Sequence, residues 1–352
     1  MKKFWKVFRW VLLAILVLFG GLVVFFLVTE YKPVPTETLK LEGQAQRKTL
    51  SRGDRLSLVS WNLGFFALGD NADFFMDGGK SIYPADRERV EENIEGIQDA
   101  LAELDPDFIL LQEVDEDSDR SYHINGKSLL QAAAPQYVSS FAYNFNTAFV
   151  PYPIPPIGKV RSGILTLSKY DVREAVRTQL PIPFKWPVSV FNLKRCLMTS
   201  RLKAGEKELV LVNLHLEAYD DGEGKLAQTK MLRELLEEEA AKGNYVIAGG
   251  DFNQTFSSVD ASLFPAQEGK WQSGILDSGD FSENWSFLMN GSVPSCRSLD
   301  QAYAGADKNT FQYYVIDGFI VSSNVTVEDF EVVDKAFQYS DHNPVLLRVR
   351  LD

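Results

Sequence analysis

The sequence predicts one large α/β domain of roughly 300 residues behind a single N-terminal apolar helix. Three observations carry that reading. An uncharged apolar run, Trp10 to Val28, follows a short basic tip. Beyond it, short apolar runs rich in Val, Ile and Leu recur between polar segments, as the strands of a buried sheet do. Two longer stretches between those runs have apolar residues at helical spacing. A composition of 45% hydrophobic and 24% charged residues is that of a chain able to bury a core, which excludes a disordered or fibrous protein.

The nineteen residues from Trp10 to Val28 span about 28 Å as a helix, close to the thickness of a bilayer core. A cleaved signal peptide has a shorter apolar region ending in a small-x-small site, whereas this run ends Phe26-Leu27-Val28-Thr29-Glu30-Tyr31. The chain is therefore read as anchored, with a cytoplasmic tip over 1–9 and a transmembrane segment over 10–28. Lys2, Lys3, Lys6 and Arg9 on the short side orient the N-terminus inside and the rest outside the cytoplasm. Residues 29–53 read as a polar linker that Pro33 and Pro35 keep extended, and residues 54–352 as the folded domain.

Within that domain the strand candidates are Leu56–Trp61, Phe108–Leu111, Gly163–Leu167, Leu197–Leu202, Leu209–Leu214, Tyr245–Ala248, Val315–Val321 and Val345–Val349. One helix is set by Val90, Ile94, Ile97, Leu101 and Leu104 and stopped by Asp105-Pro106. A second runs from about Lys225 to Lys242, with Leu226, Met231, Leu235 and Leu236 as its apolar side and Gly243 at its stop. Two proline-stiffened aromatic segments, Phe145–Gly158 and Leu180–Phe191, read as loops packed on the body or as a lip that touches lipid or substrate. The segment Gly64–Tyr83, with Phe65, Phe66, Phe74 and Phe75, reads as a surface loop or a substrate lid.

The formal charge is -12, or -16 once the four basic residues of the tip are set aside. Such a domain does not attract nucleic acid over its whole surface, although a bound metal can hold a phosphate locally. Cys196 and Cys296 permit a disulfide outside the cytoplasm and equally suit two buried thiols. No protein partner is implied.

Chemistry-bearing residues gather at strand ends. Asp251 and Asn253 follow Tyr245–Ala248 in the stretch Gly249-Gly250-Asp251-Phe252-Asn253, where alternate side chains face one pocket. Asn62 follows Leu58-Val59-Ser60-Trp61, and Glu113 follows Phe108–Gln112. His215 closes Leu209–Leu214, and Asp341-His342 precede Val345. Asp317 is set inside an apolar run, which is costly for a carboxylate unless it is paired, and a histidine is the natural partner. His123 lies in a polar stretch and is given no role.

Ser60-Trp61-Asn62, Leu111-Gln112-Glu113-Val114, Ser162-Gly163-Ile164-Leu165, Asn213-Leu214-His215-Leu216, Gly250-Asp251-Phe252-Asn253, Ile316-Asp317-Gly318-Phe319 and Ser340-Asp341-His342-Asn343-Pro344-Val345, taken in order, resemble the endonuclease/exonuclease/phosphatase superfamily, the deoxyribonuclease I-like group. The resemblance covers Leu56 to Val349. It implies a four-layer α/β sandwich, two facing and mostly antiparallel sheets flanked by helices, with the site where strand ends of both sheets converge.

The resemblance also implies roles. Glu113, with Asn62 beside it, holds Mg²⁺ (or Mn²⁺), and Asp341 supports the metal or His342. Asp251 and Asn253 position the attacking water and the phosphate. His342, oriented by Asp317, contacts the phosphate, and His215 is the second histidine. Tyr143, Asn144 and Asn146 occupy the position of substrate-contacting residues in relatives, and Arg297 is a candidate phosphate contact. The expected activity is hydrolysis of a phosphoester outside the cytoplasm, with a phospholipid-like or other phosphorylated small molecule as substrate. A nuclease and a catalytically silent binding module are the alternatives, the former drawing on Lys159, Arg161 and Lys169 for a groove.

Overall fold

A computed structural model describes residues 1–47, 49–220 and 222–352 of the chain. Among them, two seven-stranded sheets face each other. The first runs Thr36–Thr38, Glu174–Gln179, Cys196–Ala204, Lys207–His215, Tyr245–Asp251, Asp317–Ser322, Trp285–Leu288 in spatial order. The second runs Val325–Val332, Val345–Leu351, Arg55–Asn62, Phe108–Asp115, Gly158–Ser168, Val138–Val150, Glu42–Gly43.

Each sheet has one parallel pair, and each pair needs a crossover. Helix α2 (Arg87–Leu104) connects Arg55–Asn62 to Phe108–Asp115, and α4 (Glu223–Ala241) connects Lys207–His215 to Tyr245–Asp251. The short α3 (Gly126–Ala133) lies on the α2 side.

The strand period of two separates the layers. Leu56, Leu58, Phe108, Leu110, Leu211, Ile247, Phe319 and Leu347 fill the space between the sheets. Their neighbours Val59, Trp61, Ile109 and Leu111 point outward beneath Val90, Ile94 and Ile97 of α2. Val210, Val212, Val246 and Ala248 do the same beneath Leu232 and Leu236 of α4. The result is the four-layer α/β sandwich expected from the sequence.

Helix α2 starts where the Asp86 carboxylate accepts from the Arg89 N–H at 2.9 Å and stops at Asp105, in the left-handed region (φ 40°) before Pro106. In α4 the buried stripe includes Leu232 and Leu236, whereas Leu226 is 67% exposed. Of the expected apolar side, Leu236 is buried and Met231 and Leu235 pack partly buried on the same core; only Leu226 faces away, and the helix also buries Leu232 and polar Gln228 and Glu239. Glu239 is held by Arg201 at 2.6 Å.

Helix α1 (Lys2–Thr29) is long and apolar enough to cross a membrane. The segment read as a linker does more than span a gap. Thr36–Thr38 pairs with Glu174–Gln179 at the edge of one sheet, and Glu42–Gly43 pairs with Val138–Val150 at the edge of the other. The helix end is seated on the domain as well. Phe26 meets the Phe191 ring at 5.6 Å, and buried Lys194 lies 3.4 Å from Glu30. Both cysteines are free and buried.

Candidate active site

Period two also builds the site. Going up Arg55–Asn62, the inward positions are Leu56, Leu58, Ser60 and Asn62; in Tyr245–Asp251 they are Tyr245, Ile247, Gly249 and Asp251. Asn213 and His215 continue the inward row of Leu209 and Leu211, and Asp317 begins that of Phe319 and Val321. Pairing aligns them, since Asp251 faces His215 on one side and Asp317 on the other. Across the interface, Asn62 Nδ2 donates to Asp251 Oδ2 at 3.0 Å.

A polar rung closes the apolar core just beneath. Gln112 donates to Ser60 Oγ at 3.2 Å and to Asn213 Oδ1 at 2.9 Å, while Asn213 donates to the Leu111 and Leu165 carbonyls. These fully buried side chains bond to one another from both sheets, with Gln112 Oε1 alone left without a partner, and so tie the sheets together where the chemistry begins.

Glu113 breaks the parity. Alternation after Gln112 sends it outward, away from Asn62 and Asp251. A bulge shifts the register between Leu111 and Val114, and Glu113 takes φ 53°. Its carboxylate is thereby brought to Asn62 Nδ2 at 3.3 Å. Asn253 is likewise left-handed, with φ 51°; its N–H donates to Asp251 Oδ1 at 2.9 Å and its amide to the Leu216 carbonyl at 2.9 Å. Gly250 is dictated by the Leu214 carbonyl, which would lie 2.0 Å from an added Cβ.

The Ser340–Asn343 loop brings in the last members. Ser340 Oγ donates to the Asn62 carbonyl at 2.7 Å, and Trp61 Nε1 donates to the His342 carbonyl at 2.8 Å. His342 Nδ1 meets Asp317 Oδ2 at 2.8 Å, which leaves Nε2 facing the cleft, 3.9 Å from both Asp251 and Asp341. His215 Nε2 lies 3.3 Å from Asp251 Oδ2.

Burial and mutual charge set the protonation states. Burial raises the Asp251 carboxyl, and the neighbouring Asp317 adds to it. Burial pulls the His342 imidazole down, but Asp317 and its neighbours outweigh that and hold it well above its ordinary value. Burial, reinforced by Arg195 and His342, holds His215 well below, as the neutral ring. Burial pushes Asp341 and Asp77 each up to about 6.

Asn62, Glu113, His215, Asp251, Asn253, Asp341 and His342 line one cleft of about 340 Å³. Asn144 lines it too. Tyr143 and Asn146 fall outside the lining; the Tyr143 hydroxyl is taken up by Glu116 and Arg161. Arg297 lines the wall, but its guanidinium donates to the Gly69 carbonyl at 2.7 Å and the Ser298 carbonyl at 2.9 Å, and stacks over Tyr303. Nη1 and Nη2 are thus committed to carbonyls, while Nε is buried without a partner. Lys159, Arg161 and Lys169 are paired with Asp117, Glu116 and Asp105.

Sequence reasoning missed Asp77, Arg195, Glu217 and Tyr219, which line the cleft. Tyr219 donates to Asp77 at 3.0 Å across it, and Arg195 is ion-paired to Glu217 at 3.3 Å. The aromatic insertion Gly64–Tyr83 supplies Asp77, Phe65, Phe74 and Met76, so it borders the site. No motif marks these positions, since they come from loops.

The donor set suits a hard divalent cation. Glu113 and Asp341 offer oxygens, while Asn62 turns Nδ2 toward Glu113 and accepts the Gly64 N–H at 3.0 Å on Oδ1; among the described residues no Lys or Arg is ion-paired to either carboxylate. Buried carboxylates without a cation protonate instead, as Asp341 is pushed to do. A second grouping, Cys296 with Asp341 and His342, is a poorer fit, because burial pushes the Cys296 thiol up to about 12 and withholds the thiolate a softer metal needs.

A model of the endonuclease/exonuclease/phosphatase family matches residues 59–342, a span that runs from the first motif to His342 of the last. The chain belongs to that family. Its fold is shared with an endonuclease/exonuclease/phosphatase from Beutenbergia cavernae (TM-score 0.60, 16% identity, 84% of this chain and 72% of that one). It is also shared with TDP2 of D. rerio complexed with a single-strand DNA product (0.51, 16%, 84% and 99%). The human Nocturnin catalytic domain with a bound sulfate anion is a third likeness (0.51, 14%, 89% and 97%). No curated protein matches. Family members hydrolyse phosphodiesters with a divalent metal, and the carboxylate–histidine cluster is a site at which one could bind.

Proposed function

We propose that the chain is a membrane-tethered phosphoesterase that uses Mg²⁺, or Mn²⁺, outside the cytoplasm. The observation that carries it is the meeting of Asn62, His215 and Asp251 from the inner faces of both sheets with Glu113 and His342 in one cleft, with Asp317 behind His342. Glu113 and Asp341 would hold the cation, with Asn62 beside them orienting Glu113, and its chemistry when bound is to neutralise charge on the non-bridging phosphoryl oxygens.

The protein's own groups do the rest. The Asp251 carboxylate, fixed by Asn62 and the Asn253 N–H, is raised toward neutrality and so is suited to orient a water and accept its proton. His342, charged and held by Asp317, presents Nε2 to a phosphoryl oxygen. Neutral His215 presents Nε2 beside Asp251 and steadies a second oxygen or the leaving group. The N-terminal helix tethers the domain, with the basic tip inside.

The likeness to a TDP2–DNA complex favours a second reading, an extracytoplasmic nuclease. The pairing of Lys159, Arg161 and Lys169 with carboxylates speaks against a basic groove there. The test is hydrolysis of bis-p-nitrophenyl phosphate by the full chain in detergent with Mg²⁺ or Mn²⁺. Turnover that a chelator abolishes is expected. No turnover with either metal refutes the enzyme.

A further inference from the structure

The catalytic cluster makes up only part of its cleft. Much of the rest is apolar: Phe145, Val150, Tyr152, Phe184, Val188 and Phe191 line the same cavity as Asp251 and His342. These six come from the two proline-rich aromatic segments. In a chain that is 24% charged, Phe145–Gly158 holds no charged residue and Leu180–Phe191 holds one, Lys185. Their tips stand out into solvent, with Ile154 94% and Trp186 64% exposed. An uncharged, aromatic, proline-stiffened rim of this kind is unsuited to water and suited to a bilayer interface.

The same lining touches the apolar helix. Phe26, near the end of α1, meets Phe191 at 5.6 Å, and Phe191 meets Tyr152 at 6.0 Å. Ring contacts therefore lead from α1 through Phe191 and Tyr152 to the cleft that the carboxylates and histidines also line. Lys194 with Glu30, and the strand pairing of Thr36–Thr38, fix the helix end in that position. With α1 in a bilayer, the rim is held at the bilayer surface.

We propose that the substrate is an amphiphilic phosphoester that enters sideways from the leaflet in which α1 ends. Its phosphoryl group reaches the cluster and the first part of its hydrocarbon lies on the Tyr152–Phe191 wall. The cavity of about 340 Å³ is far smaller than a two-chain lipid, so the rest of the hydrocarbon stays in the bilayer. The proposal rests on the phosphoesterase reading and names its substrate class.

The test uses the full chain reconstituted in vesicles of phosphatidylcholine, phosphatidylethanolamine, phosphatidylglycerol and sphingomyelin. Cys196 and Cys296 are buried, so Ile154→Cys offers a single site for an environment-sensitive fluorophore. Glu206→Cys, in the turn between Cys196–Ala204 and Lys207–His215 at the far end of the strands from the site, is the control. Brominated phosphatidylcholine should quench the probe at position 154 and not at 206. The double variant Ile154→Asp with Trp186→Asp, whose residues lie outside the cleft lining, should lower release of phosphorylated product from the vesicles roughly tenfold or more. Its turnover of bis-p-nitrophenyl phosphate in detergent should be unchanged. An unquenched probe at 154, equal vesicle turnover by the double variant, or no cleavage of any vesicle lipid overturns lateral entry if the soluble ester is still cleaved. Loss of soluble-ester turnover in the unmodified chain is the separate result that defeats the phosphoesterase reading.

Discussion

Replacing Asp317 by asparagine isolates the electrostatic half of the Asp317–His342 pair. The amide keeps the size of the side chain and the backbone bond from the Asp317 N–H to Ser295 Oγ at 3.0 Å. What it removes is the charge 2.8 Å from His342 Nδ1. A hydrogen bond to a charged group contributes about 1.5–3 kcal/mol. At about 1.4 kcal/mol per factor of ten, that is a loss of roughly ten- to hundredfold in kcat/KM if the imidazolium contacts the phosphoryl group in the transition state.

The pH dependence has a definite sign. Burial lowers the His342 pKa, and Asp317 is the main charge that outweighs it. In the unmodified protein the ring therefore stays charged above its ordinary value of about 6.5. In Asp317→Asn the charge is lost at lower pH, so the alkaline limb of the rate profile moves toward acid and the deficit grows from mildly acidic to mildly alkaline buffer. The stability linkage follows the same group. A raised histidine pKa contributes stability that is complete below the unfolded value and is lost as pH rises through the folded one. The Tm deficit of the variant should thus be largest in mild acid. The assay is bis-p-nitrophenyl phosphate hydrolysis with Mg²⁺ across a pH series, beside thermal melts of both proteins. A profile that superimposes on the unmodified one, or an alkaline limb displaced upward, refutes the pairing argument.

Three further outcomes are expected. Asp251→Asn should reduce kcat by roughly 10²–10⁴-fold. It should leave Tm equal or higher at neutral pH without metal, because a carboxyl raised by burial costs stability above its unfolded pKa; a large fall in Tm contradicts this. Gly250→Ala should lose roughly 1–3 kcal/mol of stability in a denaturant melt, because its Cβ would meet the Leu214 carbonyl at 2.0 Å; an unchanged midpoint shows that the strand can shift. An external protease on intact cells should remove the domain and spare the N-terminal tip, and protection of the whole chain contradicts the proposed orientation.

How much of this could be read before folding depends on the range of the forces involved. The inward rows of Leu56, Leu58 and Asn62, and of Ile247 and Asp251, follow from a strand period of two, which is local. The same holds for α2, whose stripe and stop lie within one segment. Glu113 escapes that logic: its reach to Asn62 depends on a bulge and a left-handed residue that no local pattern announces. Arg297 and Tyr143 looked available because a sequence does not show the Gly69 carbonyl or Glu116 that claim them. Asp77 and Tyr219 were invisible, since they meet across the cleft from segments far apart in the chain.

By itself the sequence determined the α/β class, the apolar helix, the ordered motifs and the residue types able to bind a cation and a phosphate. Those properties reside in spacing and side-chain chemistry. Only the tertiary structure decided that residues 36–43 complete both sheets, that the two proline-rich segments share a cleft with Asp251 and His342, and that α1 rests against Phe191. These are meetings between distant segments, set by which surfaces bury each other, and no short window of the chain contains both partners.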